Sequence, residues 1–274
     1  MVYIEKGVAA VNFDSLHKFN VGPSDADKVV YVIPASRLLE PEEMERLLEV
    51  YRPLMKGLDR IAAATYFCNQ FANVGLALQY AISVLGRSID LSLNNISVQL
   101  FAQEGKSGIA YKLDRWSAQA APIGLAEHRS WLEDVYAGFY GGTVKPLYES
   151  VSNVSGIDIG QLWGLLPTRF NFMTEQWMLA AANERERAAI ADDYSFLVKE
   201  LPASVFGRVI NPFDVIIRWV EDLKDPCKQL RMKNSCCQYY RTEGGYYCYT
   251  CPRIKESERE ERRLQARAAV AVSP

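Results

Sequence analysis

A chain of 274 residues with 49% hydrophobic side chains can bury a sizeable core, in one large domain or two small ones. The formal charge of −2 excludes a global field directed at nucleic acid or a membrane surface, and the apolar content excludes disorder over most of the length. Met1 to Asp14 shows no basic head followed by an apolar block, so no secretory leader is expected; the expected compartment is the cytoplasm, where structural disulfides are rare.

Residues 1–30 are poorly patterned, with one or two short strands at most. Val29 to Ile33 is β-branched and aromatic, which predicts a strand that Pro34 ends. Pro41 opens a helix at its first turn, and Glu40, Glu42 and Glu43 suit the positive end of its dipole. Leu47, Leu48, Tyr51 and Leu54 give it an apolar face. A long second helix is predicted from about Leu58 to Leu85. Within it, Ile61 to Gly86 carries no charge and exceeds the length of a membrane span. Asn69, Gln70, Asn73 and Gln79 are costly in lipid, so it reads as a helix buried in a soluble protein, with a membrane span as the lesser reading.

Ile96, Val98 and Leu100 alternate with Ser97 and Gln99, and Ile109, Tyr111 and Leu113 alternate in turn. That predicts a hairpin turning at Glu104-Gly105-Lys106-Ser107. From Gly124 the pattern is helical. One helix is predicted from Glu127 to Tyr140, stopped by Gly141-Gly142. Others follow from about Pro146 to Val151, Ile159 to Leu165 and Thr174 to Lys199. Asn211-Pro212-Phe213-Asp214 combines an N-cap, a first-turn proline and an acid, which predicts a helix carrying Ile216, Ile217, Trp219 and Val220. It ends before Asp225-Pro226. After Pro252 the chain becomes a charged helix with supporting pairs such as Glu258 with Arg262. It has little to bury and reads as a solvated tail. No internal repeat is visible.

Asn234 to Pro252 holds four of the six cysteines: Cys236, Cys237, Cys248 and Cys251. Two adjacent cysteines precede a ten-residue loop and a Cys-x-x-Cys. Disulfides are disfavoured by the expected compartment. A structural zinc site pairs its ligands as C-x(2–4)-C, which Cys248 and Cys251 satisfy and Cys236-Cys237 do not. Adjacent residues of an extended chain point to opposite sides, so a single zinc ion would need a sharply bent backbone there. A 2Fe–2S cluster is wider, and each of its irons can take two thiolates from a different direction. Iron–sulfur, zinc and disulfide readings thus remain, with the two-iron cluster fitting the spacing best. Lys224 to Lys255 contains seven basic and two acidic residues, a local +5 that leaves −7 for the rest and offsets a cluster's negative charge. A basic run is more often only a solvated face. Tyr239, Tyr240, Tyr246, Tyr247 and Tyr249 crowd the same segment, as a shield for a cluster or as plain packing.

Cys236-Cys237-Gln238-Tyr239-Tyr240-Arg241 followed by Cys248-Tyr249-Thr250-Cys251 resembles the C-terminal 2Fe–2S segment of the FhuF-like ferric-siderophore reductases. Upstream, Lys145-Pro146-Leu147 through Ser155-Gly156 and Leu162-Trp163-Gly164 resemble that family's segment ending in Leu-Trp-Gly. The family often has Asn next, where this chain has Leu165, so no role of that Asn carries over. The resemblance spans about Glu127 to Pro252. It implies four cluster ligands, Cys236, Cys237, Cys248 and Cys251, and a cytoplasmic reductase that releases iron from an imported siderophore. It also implies a transient association with an inner-membrane importer.

No phosphate loop, Ser-His-Asp set or nicotinamide fingerprint is apparent, so the electron donor is expected to be another protein or a small reductant. His17 and His128 lack the spacing of a histidine-ligated cluster. Cys68 reads as core and Cys227 as a plain cysteine at the end of a helix. Arg115, Trp163 and Arg169 are the candidates for binding the siderophore; an anionic ferric complex would favour arginine and a neutral trihydroxamate would not. The expected fold is α+β: a mainly helical body with a small antiparallel sheet over residues 1–224, a 2Fe–2S segment over 225–253, and a charged helical tail over 254–274. The competing functions are a zinc-knuckle binding or regulatory protein and an iron–sulfur redox sensor, each using the same cysteines.

Overall fold

The computed structural model describes residues 13–103 and 106–272. Expectations for residues 1–12 and for the turn at Glu104 and Gly105 lie outside these. A 3-10 stretch, Phe13–Phe19, leads into β1 (Val21–Gly22) and β2 (Val29–Pro34). Helix α1 (Pro41–Leu54) begins at Pro41 as expected, and α2 (Arg60–Ser83) begins where the Asp59 carboxylate accepts from the Ala62 amide at 2.8 Å. Strands β3 (Arg87–Ile89), β4 (Ile96–Gln103), β5 (Lys106–Leu113) and β6 (Ala118–Ala120) follow. The main sheet runs β1-β5-β4-β2, with β4 antiparallel to both neighbours and β1 parallel to β5. Strands β3 and β6 form a separate antiparallel pair.

Helix α2 is the axis of the body. Its residues are buried on nearly every side, between α1, α6, α7 and the sheet, which is why it needs no charged face. Tyr148 donates to its Cys68 carbonyl at 3.1 Å, and Tyr136 to Gln79 at 3.0 Å. Among the described residues no helix is long and apolar enough to cross a membrane.

The helical half departs from expectation in three places. Helix α3 (Leu125–Tyr136) does not stop at Gly141-Gly142. It widens into a π-helical stretch, Ala137–Val144, and runs on as α4 (Lys145–Ser155). A glycine stop needs left-handed backbone, which neither glycine adopts; Gly156 does, at φ 73°, and ends α4. After α5 (Ile159–Trp163), the helix expected over Thr174 to Lys199 is two: α6 (Leu166–Ala180) and α7 (Glu184–Ser195), which continues as a π turn to Glu200. Asn183 accepts from the Glu186 amide at 2.9 Å, and Glu186 accepts from the Ala182 amide at 2.9 Å, an N-terminal signature readable in Asn183-x-x-Glu186.

The third departure is Asn211-Pro212-Phe213-Asp214, which starts no helix. The Asn211 side chain donates to the Leu197 and Leu201 carbonyls and accepts from the Phe213 amide at 2.9 Å. It ties a loop to the end of the preceding helix, and Phe213 fills a ring cluster with Tyr140, Phe170 and Phe206. Ile216 is exposed, and Trp219 opens strand β7 (Trp219–Glu221), paired antiparallel with β8 (Gln229–Arg231). The domain boundary expected between 224 and 225 falls inside this hairpin. Helix α8 (Glu256–Val272) closes the chain.

Candidate metal centre

The cysteine segment lands on the body where α5 ends. The Asn234 amide donates to Thr168 Oγ1 at 2.9 Å, Ser235 Oγ to the Gln161 carbonyl at 3.0 Å, and Gln161 Nε2 to the Cys236 carbonyl at 3.3 Å. Gly164, the glycine of Leu162-Trp163-Gly164, makes room for this. A Cβ there would lie 3.0 Å from Ser235 Cβ. Further on, Arg241 pairs with Asp59, and its carbonyl accepts from the Leu58 amide at 2.9 Å. The ten-residue loop turns back at Gly244, with φ 69°, and Gly245, where a Cβ would lie 1.9 Å from the Tyr239 carbonyl oxygen. That return carries Cys248 and Cys251 to Cys236 and Cys237.

The four thiols form two pairs. Cys236 and Cys251 Sγ are 3.5 Å apart and buried. Cys237 and Cys248 are half-buried and share a hydrogen bond. The adjacent cysteines thus face different partners, and Gln238, left-handed at φ 59°, turns the chain just after them. No cysteine among the described residues is in a disulfide. Nor do three or more His, Cys, Asp or Glu side chains converge there on one point suited to a single ion. Two sulfur pairs can each supply the two thiolates that one iron of a two-iron cluster takes.

Electrostatics distinguish the pairs. Hydrogen bonding from the Cys248 thiol, joined by the Lys233 ammonium, lowers the Cys237 pKa to about 5 against the burial that opposes it. Cys248 is raised in turn, its proton held by Cys237. Burial raises Cys236 to about 11. Lys233 Nζ lies 3.4 Å from Cys237 Sγ. Burial disfavours its charge, but Cys237 and Cys248 hold its pKa above the usual lysine value. Of the basic run, Lys228 pairs with Asp225, Arg231 with Glu175 and Arg241 with Asp59, whereas Lys233 is turned on the outer sulfurs.

Cys236, Cys251 and Ile254 make a small apolar cluster covered by Tyr240 and Tyr247, whose ring centroids are 4.3 Å apart. Helix α8 backs this loop, so the expectation of a solvated tail with little to bury is corrected. Arg259, only 5% exposed, donates to the Cys251 carbonyl at 2.6 Å and the Tyr249 carbonyl at 3.2 Å. Arg262 donates to the Tyr247 carbonyl at 2.7 Å, and Arg263 to the Tyr249 hydroxyl at 3.1 Å. The spacing of 259, 262, 263 and 267 puts these arginines on one helix face, a signal present in the sequence.

A cleft of about 340 Å³ opens beside the outer pair. Cys237, Cys248 and Lys233 line it from the segment, Tyr66 and Asn69 from α2, and Arg169 from α6. Of the three residues expected to bind substrate, Arg169 alone lines it. Trp163 is 1% exposed and packs on Tyr148 and Phe206. Arg115 is exposed and faces Asp90 at 3.8 Å, beside a larger cleft of about 490 Å³ that holds no cysteine. Lys233, Tyr66 and Asn69 were not among the residues expected at the site; Tyr66 and Asn69 lie in a stretch whose composition signalled only a core helix. Cys68 is buried in α2, and Cys227 sits exposed in the turn between β7 and β8 rather than at a helix end.

An α+β body holding a four-cysteine metal segment at the edge of an open cleft is the class these features define. Residues 234–253 match the family model described as the FhuF 2Fe-2S C-terminal domain, and the cofactor is a 2Fe–2S cluster. The matched residues are the segment alone, not the upstream stretch from Glu127. No curated protein matches the chain.

Proposed function

We propose that this chain is a ferric-siderophore reductase of the cytoplasm, in which Cys236 and Cys251 hold one iron of the cluster and Cys237 and Cys248 the other. The observation that carries the reading is the cleft: the Cys237–Cys248 pair opens onto about 340 Å³ of space suited to one face of a chelate. When bound, the cluster supplies electrons singly. Siderophore oxygens are hard donors that hold ferric iron far better than ferrous, so one electron turns a tight complex into a labile one. The iron is reduced, and the released ligand oxygens take protons from water. No general base or nucleophile is required of the chain. Its residues exclude water from the inner sulfurs through Tyr240 and Tyr247, and leave the outer pair open to substrate. The electron donor is a protein or small reductant, and an inner-membrane importer is the proposed source of substrate.

The test is direct. Protein reduced with dithionite and freed of excess is mixed anaerobically with ferric-siderophores. Return of the visible absorption with capture of ferrous iron by a ferrous-specific chelator is expected. A reduced protein that no ferric chelate reoxidises would act as a sensor or carrier instead.

Lys233→Gln should lower the midpoint potential on the order of 100 mV. A unit charge about 4 Å away is worth about 4 kcal/mol at an effective dielectric of 20, and less where water screens it. An unchanged potential in protein-film voltammetry would mean that Lys233 only packs the loop.

A further inference from the structure

The inner sulfur pair is thinly covered. Cys236 and Cys251 lie under the rings of Tyr240 and Tyr247, both only half-buried. Two guanidiniums converge on one phenol there: the Tyr240 hydroxyl accepts from Arg241 Nε at 3.1 Å and from Arg253 Nη1 at 2.9 Å. Arg241 is paired with Asp59. Arg253 is exposed and pairs with no carboxylate among the described residues, and the same holds for Lys255 two positions on. Lys56 and Glu243, joined through their backbones, offset one another. Leu58, 61% exposed, adjoins the Arg241 carbonyl. The outer pair presents no comparable face. It opens into a cleft of about 340 Å³, which has room for a chelate and none for a folded protein.

We infer that the Tyr240–Tyr247 face is the docking surface for an acidic one-electron carrier protein, which reaches the cluster from the inner side while substrate occupies the cleft; the inference rests on the reductase reading. Tyrosine and arginine are the residue types that anchor protein interfaces. Electron transfer slows exponentially with distance, so a carrier has to approach where the cover is one ring thick. Four thiolates with two irons are a net anion, and so is an acidic carrier. Arg253 and Arg241 stand between the two and turn repulsion into attraction. One electron leaves the carrier, which is oxidised by one, and one ferric ion at the four thiolates becomes ferrous. No bond forms or breaks, and no proton moves.

The cluster-loaded, oxidised protein is titrated calorimetrically with oxidised plant-type 2Fe–2S ferredoxin, a small acidic carrier, and with cytochrome c, a small basic one. Ferredoxin should bind, more weakly as salt is added, and cytochrome c should not. Stopped-flow mixing with reduced ferredoxin should bleach the protein's visible absorption at a second-order rate that also falls with salt. Arg253→Glu and Lys255→Glu should each keep the wild-type spectrum, weaken ferredoxin binding about tenfold at low ionic strength and slow the bleaching by a similar factor. Arg185→Glu makes the same charge change on α7, which carries none of this face, and should leave both as in the wild type. Where Arg253→Glu disturbs the cluster, Lys255→Glu carries the test by itself. Ferredoxin binding that is absent or indifferent to salt overturns the inference, as does equal binding of cytochrome c. Equal weakening by Arg185→Glu overturns it too, because net charge and not this face would then set the affinity. The reductase reading fails separately, when no ferric complex reoxidises the dithionite-reduced protein; the binding and its salt dependence are measured without any ferric complex.

Discussion

Cys248→Ser is expected to purify with less than a tenth of the wild-type visible absorption and no normal spin-half signal after dithionite. Cys237→Ser should behave alike. Each removes one sulfur of the outer pair, and serine at neutral pH offers a protonated hydroxyl where iron requires an anionic sulfur. The geometry leaves no substitute thiol. Cys68 is buried within α2, and Cys227 is exposed in the β7–β8 turn, held by its amide to Asp225. Cys227→Ser should therefore keep full occupancy, and it serves as the control for general damage. Full occupancy in Cys237→Ser or Cys248→Ser would remove that residue from the ligand set. Loss in Cys227→Ser would show that the wrong four had been chosen.

Arg259→Met should leave the cluster in place but make it short-lived. The substitution keeps an apolar stem, so packing changes little, and it deletes the donors to the Cys251 and Tyr249 carbonyls. Hydrogen bonds from a charged donor are worth about 1.5–3 kcal/mol each, and the orphaned carbonyls add a desolvation cost. Even a net loss of about 3 kcal/mol raises the population of the locally opened loop on the order of 100-fold. The readout is the rate at which an iron chelator bleaches the oxidised protein, expected to rise by a similar factor. Bleaching at the wild-type rate would mean that α8 lies against the loop without holding it.

Much of the body was legible because local signals and burial agreed. Pro41 with its acids began α1, and the uncharged run after Arg60 became a helix enclosed on nearly every side. The alternation in β4 and β5 paired as expected. The misreadings came from residues whose local signal was spent on tertiary contacts. Asn211 has the side chain of an N-cap but uses it on carbonyls 14 and 10 residues earlier. Gly141 and Gly142 could have stopped a helix, but their backbone stayed right-handed. At the site, the cysteine spacing favoured a two-iron cluster over zinc and disulfides without showing which sulfurs pair. That depended on the return of the chain at Gly244-Gly245 and on the bend at Gln238. Trp163 and Arg115 were chosen by residue type, and type alone does not tell a core tryptophan from a ligand-binding one. Arg169 was chosen in the same way; its place in the cleft was set by α6 packing against α2.

The seam between segment and body also bears on how the protein is made. Its bonds join residues far apart in sequence: Arg231 to Glu175 across 56 positions, Asn234 to Thr168 across 66, and Arg241 to Asp59 across 182. Synthesis runs from the N-terminus, and domains generally fold as units while it proceeds. α2, the sheet and α6 can therefore be packed before the cysteines leave the ribosome. The landing place at Gly164 and Thr168 then exists before the thiols arrive, and the segment docks last. The thiols can therefore close only against a body whose α2 and α6 are already in place, because the bonds of the seam are made to those elements.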